Sequence, residues 1–311
     1  MNEPLVSIIM NCYNGSKYLN ESIKSILNQT YKNWELVFWD NCSTDNSYEV
    51  FSKFKDCRLK YFKSPKHTGL GMARLNALNC SEGDFIAFLD CDDIWIKDKL
   101  KKQIPKFEED SEVGIVISNT EFFTDSGTSK VLYKNKYPKN GWVFAELLKK
   151  YFISLETVIL RKKAINSLNH SFDPTFNHIS DLDLILRISE KYKLSIFNEV
   201  LAKWRVHSNS GTWTNPENFI NEKKILANKL KKEIPSVKNK FLKEYNLFVK
   251  SIYIRESISL IISGDSQKAR KLLSEKLFYD FLSTLLYFFS FIYYSKNLLL
   301  YIIKKRKLNP D

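Results

Sequence analysis

Between residues 4 and 120, short continuous apolar runs alternate with amphipathic segments, and this alternation constrains the fold more than any other feature. The runs are Leu5–Met10, Trp34–Trp39, Leu59–Phe62, Phe85–Leu89 and Val113–Ser118. Between them apolar residues recur at helical spacing: Leu19, Ile23, Ile26 and Leu27, then the segments around Ser47–Phe54 and Gly71–Leu78. A strand that is apolar at successive positions is buried on both faces. Strands separated by helices therefore predict a parallel sheet with helices on either side, an α/β doubly wound class. With 311 residues, 44% of them hydrophobic, the chain can bury a large core without covalent staples. The composition excludes a disordered chain, a collagen-like repeat and a small Cys-rich scaffold.

The pattern changes twice further on. Residues 121–215 mix polar loops (Thr124–Lys130, Asn135–Gly141) with one clear helix, Leu182–Lys191, and predict a second lobe on the same sheet. Residues 216–311 read as helical throughout, with a break expected at Gly264-Asp265. The charge-free stretch Phe281–Ser295 is shorter than the ~20 residues a simple membrane span needs. Dense in Phe and Tyr, and followed by Lys304-Lys-Arg-Lys307, it predicts helices lying in a membrane interface, or alternatively a packed or dimer-forming face. The N-terminus has no basic segment ahead of its apolar run, so no signal peptide is expected. The five cysteines form no CxxC pair and predict free thiols in a reducing cytoplasm.

Candidate chemistry gathers where strands end. The run Phe85–Leu89 leads into Asp90-Cys-Asp92-Asp93, three carboxylates within four residues. Ligands of open α/β sheets bind beyond the carboxyl ends of strands. Like charges this close repel unless a cation lies among them, and Mg²⁺ or Mn²⁺ held by one or two carboxylates completes its shell with substrate phosphates. The plainer alternative is a solvated acidic turn capping a helix that begins near Trp95. Two more strand ends carry Asn11-Cys-Tyr13-Asn-Gly15 and Asp40-Asn-Cys-Ser43-Thr-Asp45. Ser43 and Asp45 suit capping of the next helix, whereas Asp40 lies before the cap and could accept hydrogen bonds from a base or sugar.

Taken in order, these motifs resemble the family 2 glycosyltransferases. The resemblance rests on VSIIMNCYNGSKYLNESIKSILNQTYKNWELVFWDNCSTDNS and GLGMARLNALNCSEGDFIAFLDCDD and covers about the first 215 residues. It implies a GT-A nucleotide-sugar-binding fold over residues 1–215, with 1–120 as the nucleotide half and 216–311 as a helical, membrane-associating region. It further implies that Tyr13 lies against the base, Asp40 accepts from a uracil ring, and Arg74 lies near the base or diphosphate. Asp90 would be the first acid of the DxD motif near the ribose, and Asp92 the metal ligand beneath the diphosphate. The sequence departs from the family pattern at Asn11 (usually Pro), Asn41-Cys42 (usually Asp-Gly) and Leu75 (usually Asn).

Downstream, Ile179-Ser-Asp181-Leu-Asp183-Leu-Ile-Leu-Arg187 resembles the segment that supplies the family's general base. Asp181 is the first choice and Asp183 the second, although an acid in a first helical turn also serves the helix dipole. Lys203-Trp-Arg205-Val-His207 resembles the R-x-H element, in which His207 would join the metal shell, unless it is structural. The implied reaction is a single inverting displacement that moves a sugar from a nucleotide-diphosphate donor, a UDP-sugar, to a saccharide hydroxyl. The acceptor class implied is a lipid-linked or surface glycan met at the inner face of a bacterial membrane.

The 48 basic and 35 acidic residues leave a net charge of +13, which suits an anionic partner. Nucleic acid is not expected, because much of the surplus lies in the apolar helical tail and no nucleic-acid motif is present. A dinucleotide-dependent dehydrogenase would need a glycine fingerprint after the first strand, and Asn11–Gly15 is not one. A GT-A-like scaffold, or a basic membrane-binding protein without catalysis, is the remaining alternative.

Overall fold

The computed structural model describes residues 3–207 and 216–276. The chain divides into two compact units: Met1–Phe144 with Tyr151–Val206, and Ala145–Lys150 with His207–Asp311.

The first unit opens as the alternation dictates. Strand β1 (Val6–Cys12) leads to helix α1 (Ser16–Leu27), then β2 (Trp34–Asp40), α2 (Ser47–Ser52), β3 (Leu59–Lys63), α3 (Leu70–Asn79) and β4 (Phe85–Phe88). Strand β5 (Ile94–Trp95) is followed by short helices α4 (Lys99–Gln103) and α5 (Lys106–Glu109), and the long β6 (Val113–Phe123) by β7 (Ser129–Val131). Helix α6 (Phe144–Lys149) falls in the second unit from Ala145 on, whereas strand β8 (Ile159–Arg161), helices α7 (Lys162–Asn166) and α8 (Ser180–Ser189), and β9 (Lys193–Arg205) complete the first.

Nine strands make one sheet in the order β3-β2-β1-β4-β8-β6-β9-β5, with β7 on β6. The first four are parallel. Beyond β4 the sheet is mixed: β8 runs antiparallel to β4 and β6, while β9 is parallel to β6. Because β1 is flanked by β2 on one side and β4 on the other, a crevice opens beyond the carboxyl ends of β1 and β4. Leu19, Ile23 and Ile26 of α1 are fully buried and pack with Val6, Ile8 and Met10 of β1 in the main core cluster. Each such aliphatic side chain contributes about 1.5–3 kcal/mol when it leaves water.

The structure corrects one expectation here. No helix begins near Trp95. Ile94 and Trp95 pair antiparallel with Lys203 and Ala202 of β9, and α4 begins only at Lys99. The Trp95 amide donates to Ser25 Oγ at 3.1 Å and its indole N–H to the Glu156 carbonyl at 2.8 Å, so its polar groups are spent on the sheet edge.

In the second unit, α9 (Pro216–Glu233), α10 (Leu242–Ser263) and α11 (Ser266–Lys276) are helical as expected. The break falls at Gly264, whose φ of 94° is the left-handed conformation that ends helices, and Asp265 N–H returns to Leu260 O at 2.8 Å. Tyr245 of α10 donates to the Ala227 carbonyl of α9 at 3.0 Å. Among the described residues, no helix is long and apolar enough to cross a membrane. The interfacial helices expected over 281–303 lie outside the described residues.

Candidate active site

The carboxylate turn after β4 is tied down from several sides. Asp93 N–H returns to Asp90 O at 3.2 Å. Ser22 Oγ of α1 approaches the carbonyls of Cys91 and Asp93 at 2.9 and 2.7 Å. Arg205, at the end of β9, donates through Nε to the Asp92 carbonyl at 3.0 Å and through its backbone N–H to Asp93 Oδ1 at 2.9 Å. The Arg205 guanidinium is itself buried, paired with Glu21 and Asp125 and lying over the Tyr18 and Phe123 rings. Tyr18 closes the set by donating to Asp125 Oδ2 at 2.9 Å.

The three acids of the turn then differ by depth. Asp93 is buried, and burial pushes its carboxyl well up, with Asp92, Glu156 and Asp90 adding to the push. Asp90 keeps 46% of its side chain in solvent. The protein packed beneath it pushes it up to about 6, with Arg74 opposing and Asp92 and Asp181 adding, while its open face keeps water near the charge and limits that push. Asp92 is half-buried.

Arg74 of α3 joins the two halves of the unit. It is 5% exposed, and its guanidinium lies 3.8 Å from Asp90 Oδ1 and 3.7 Å from Asp181 Oδ1 while donating to Ser180 Oγ at 2.9 Å. The approach depends on glycine. A Cβ on Gly71 would fall 2.3 Å from the Phe176 carbonyl oxygen and 2.6 Å from that of Asp173, and one on Gly69 would fall 1.9 Å from Asn177 Oδ1. Gly69-Leu-Gly71 thus lets the segment leading into α8 lie directly on α3.

The two acids proposed for the base separate here. Asp181 accepts from the Tyr151 hydroxyl at 3.2 Å and keeps 19% of its side chain exposed. Asp183 is fully buried and forms a 2.5 Å ion pair with Arg187, whose other donors go to the carbonyls of His170 and Ser171. Burial pushes the Tyr151 phenol well above its ordinary value, reinforced by Asp181, so it remains a donor to that carboxylate.

At the other side of the crevice, Tyr13 is half exposed and its ring centroid lies 4.0 Å from that of His67. Asn41 holds this corner by donating to Thr68 O at 2.7 Å and accepting from the Thr68 hydroxyl at 2.9 Å. Asp40 is buried, with Oδ1 accepting Ser43 N–H at 2.7 Å and Oδ2 accepting the Tyr61 hydroxyl at 2.6 Å. Asp45 is not the N-cap residue of α2, which is Asn46, but its carboxylate takes the amides of Ser16 and Ser47, the first residues of α1 and α2. Ser43 instead accepts Asn14 N–H at 3.0 Å. His207 follows β9 and belongs to the second unit.

Arg205, Ser22, Tyr151 and Ser180 were not singled out for these contacts by the sequence. Arg205 had a signal, its place in the R-x-H element, whereas the others are ordinary hydroxyls whose partners are distant in the chain.

Among the described residues, no three His, Cys, Asp or Glu side chains stand close enough to form a metal cage. The half-buried Asp92 and half-exposed Asp90 at the crevice nonetheless offer hard oxygen donors. That set fits a Mg²⁺ or Mn²⁺ ion drawing its remaining ligands from a bound diphosphate.

Comparisons with known proteins bear on the family and the fold. The family described as Glycosyl transferase family 2 matches residues 7–168. An Escherichia coli protein named UDP-Glc:alpha-D-GlcNAc-diphosphoundecaprenol beta-1,3-glucosyltransferase WfgD is 35% identical over 213 residues, covering 68% of this chain and 80% of its own. The putative teichuronic acid biosynthesis glycosyltransferase TuaG of Bacillus subtilis is 29% identical over 211 residues, covering 67% and 81%. Among solved structures, S. aureus TarS 1-349 in complex with UDP-GlcNAc superposes with a TM-score of 0.65 at 17% identity, over 98% of this chain and 93% of that one. Mannosyltransferase PcManGT from Pyrobaculum calidifontis, in complex with GDP-Man and Mn2+, gives 0.60 at 16% identity, over 97% and 86%.

Proposed function

We propose a reaction for this chain from one premise: it belongs to glycosyl transferase family 2 and is an inverting glycosyltransferase of the GT-A fold. The donor is a UDP-sugar and the acceptor a hydroxyl of a lipid-linked saccharide, a reading supported by the named activity of the E. coli relative and by the UDP-GlcNAc complex of TarS. The observation that carries the assignment is Arg74, which stands within 4 Å of both Asp90 and Asp181 and so ties the donor side of the crevice to the acceptor side.

Tyr13 would lie against the base. Asp40 would accept the base N–H through lone pairs left by Ser43 and Tyr61, since a carboxylate offers about four acceptor positions. Asp90 would meet the ribose. Asp92 would hold Mg²⁺ or Mn²⁺, which when bound neutralises charge gathering on the departing diphosphate. Arg74 adds a fixed positive charge for the same purpose without needing to reorganise. Asp181, oriented by the Tyr151 hydroxyl, takes the proton of the acceptor hydroxyl as that oxygen attacks the anomeric carbon opposite the leaving group. Asp183 serves structure in this scheme, because its ion pair with Arg187 anchors α8.

A lipid-linked acceptor also gives the C-terminal region a purpose, namely peripheral attachment to the inner face of the membrane. The deciding experiment is UDP release from a panel of UDP-sugars, with Mn²⁺ and a lipid-diphosphate saccharide as acceptor. Turnover with at least one pair is expected, and no release with any donor would defeat the reading.

A further inference from the structure

Strands β1 and β4 run parallel in a fixed register, from Val6 beside Phe85 to Ile9 beside Phe88, and Leu89 N–H still reaches Ile9 O at 3.1 Å. Carried three residues further, the same offset sets Cys12 level with Cys91. Their side chains meet above Gly15. A Cβ on that glycine would fall 2.4 Å from Cys91 Sγ and 2.9 Å from Cys12 Sγ, so the two sulfurs occupy the space it leaves. Cys12 donates to Ser47 Oγ at 3.4 Å, and Ser47 donates to Asp45 Oδ1 at 2.6 Å. Both cysteines are free, Cys12 buried and Cys91 half-buried between Asp90 and Asp92.

We propose that Cys12 and Cys91 are a thiol pair that a hydroperoxide closes into a disulfide, and that this closure withdraws the site from its nucleotide-diphosphate donor. One sulfur attacks the peroxide, the O–O bond breaks, and an alcohol (water, for hydrogen peroxide) leaves with a sulfenic acid behind. The second sulfur then displaces that hydroxyl, which departs as water with the remaining thiol proton. Two S–H bonds are exchanged for one S–S bond, and the peroxide is reduced by two electrons. A disulfide brings its sulfurs to about 2.05 Å, far inside thiol contact. The Cys91 carbonyl is held by Ser22, so the turn cannot follow as a free loop, and the strain falls on the flanking Asp90 and Asp92. The effect on binding rests on the reading that these acids serve the donor. The formation of the bond does not.

The test uses the full chain carrying Cys42→Ser, Cys57→Ser and Cys80→Ser, which leaves only this pair. Hydrogen peroxide should yield a Cys12–Cys91 linked peptide in non-reducing mass spectrometry and weaken UDP affinity in the presence of Mn²⁺ by about tenfold or more. Dithiothreitol should reverse both, and adding Cys91→Ala or Cys12→Ala should leave UDP affinity indifferent to peroxide. Absence of the linked peptide, or an equal loss of affinity in the Cys91→Ala chain, overturns the proposal. So does a linked peptide with UDP affinity unchanged. A chain that binds no UDP before oxidation refutes the donor reading instead, and the linked peptide still decides whether the pair closes.

Discussion

Removing Asp92 and removing Asp181 should damage different steps. Asp92→Ala takes away the metal-side oxygen, so transfer is expected to vanish and UDP affinity to fall, with melting nearly unchanged because the turn is held by its backbone and by Arg205. Full turnover in that variant, or in excess EDTA, would contradict the metal role. Asp181→Asn keeps the shape but not the base, so UDP-sugar binding should persist while transfer falls by ~10²-fold or more. In the sequence the two candidate bases differ only by two positions on one helix. What separates them is Arg187, four residues beyond Asp183 and buried with it, while Asp181 is met by Tyr151 from a distant loop. A further residue was invisible to motif reading: Lys99 is fully buried beside Gln103 and Thr157 O, and burial pushes its ammonium down to about 7, with Glu156 opposing. Below pH 7 it is charged in both folded and unfolded chains, and the buried charge weakens the fold in full. As pH rises from about 7 towards 10.5 the folded chain sheds this proton first, so its contribution turns less unfavourable and stability rises. Between about pH 6.5 and 9.5 the wild-type Tm should therefore climb relative to that of Lys99→Met. Parallel pH profiles of the two would refute the buried-lysine account.

At the scale of elements, the parallel half was legible because β1, β2 and β4 are buried at almost every position and mostly apolar, so that the buried Ser7 and Glu35 interrupt the runs without hiding them. The return half was not. Strand β8 has three residues, too few for any period, and β9 mixes exposed Asn198 and Glu199 with buried Leu201 and Ala202, its register shifting against β6 beside Ser118 and Asn119. The helix expected near Trp95 was displaced by a two-residue ladder that only the unseen β9 could offer. The contact of α3 with the segment before α8 is the element-scale joint of the site. Gly71→Ala drives a methyl group into two carbonyl oxygens, and overpacking of this kind costs about 1–3 kcal/mol. Denaturant unfolding should report that loss. Transfer should fall further than stability alone explains, because Arg74 and Asp181 separate, whereas Gly127→Ala, strained by its φ of 89° but with open space at its Cβ, should lower stability and leave transfer per folded molecule intact.

For the whole molecule, the proposed membrane attachment would give the excess of positive charge an anionic counterpart. The net charge is +13 on 311 residues, and the C-terminal sequence is dense in aromatic and basic residues that such an attachment would use. Residues 281–303 carry Phe281, Tyr287, Phe288, Phe289, Phe291, Tyr293, Tyr294 and Tyr301, and Lys304–Lys307 adds four cations in succession. Tyrosine is favoured where water meets lipid, and each cation near an anionic leaflet adds about 1 kcal/mol of attraction. In the sequence, Lys296 and Asn297 interrupt the apolar run. Such attachment would raise the local concentration of a lipid-linked acceptor without touching the chemistry in the crevice. A chain ending at residue 276 should therefore keep its UDP affinity, leave the membrane fraction, and turn over a lipid-linked acceptor in vesicles more slowly than the full chain. Rates on a short water-soluble acceptor should be alike for both. A truncated chain that still sediments with anionic vesicles as fully as the intact one would show that the attachment lies elsewhere.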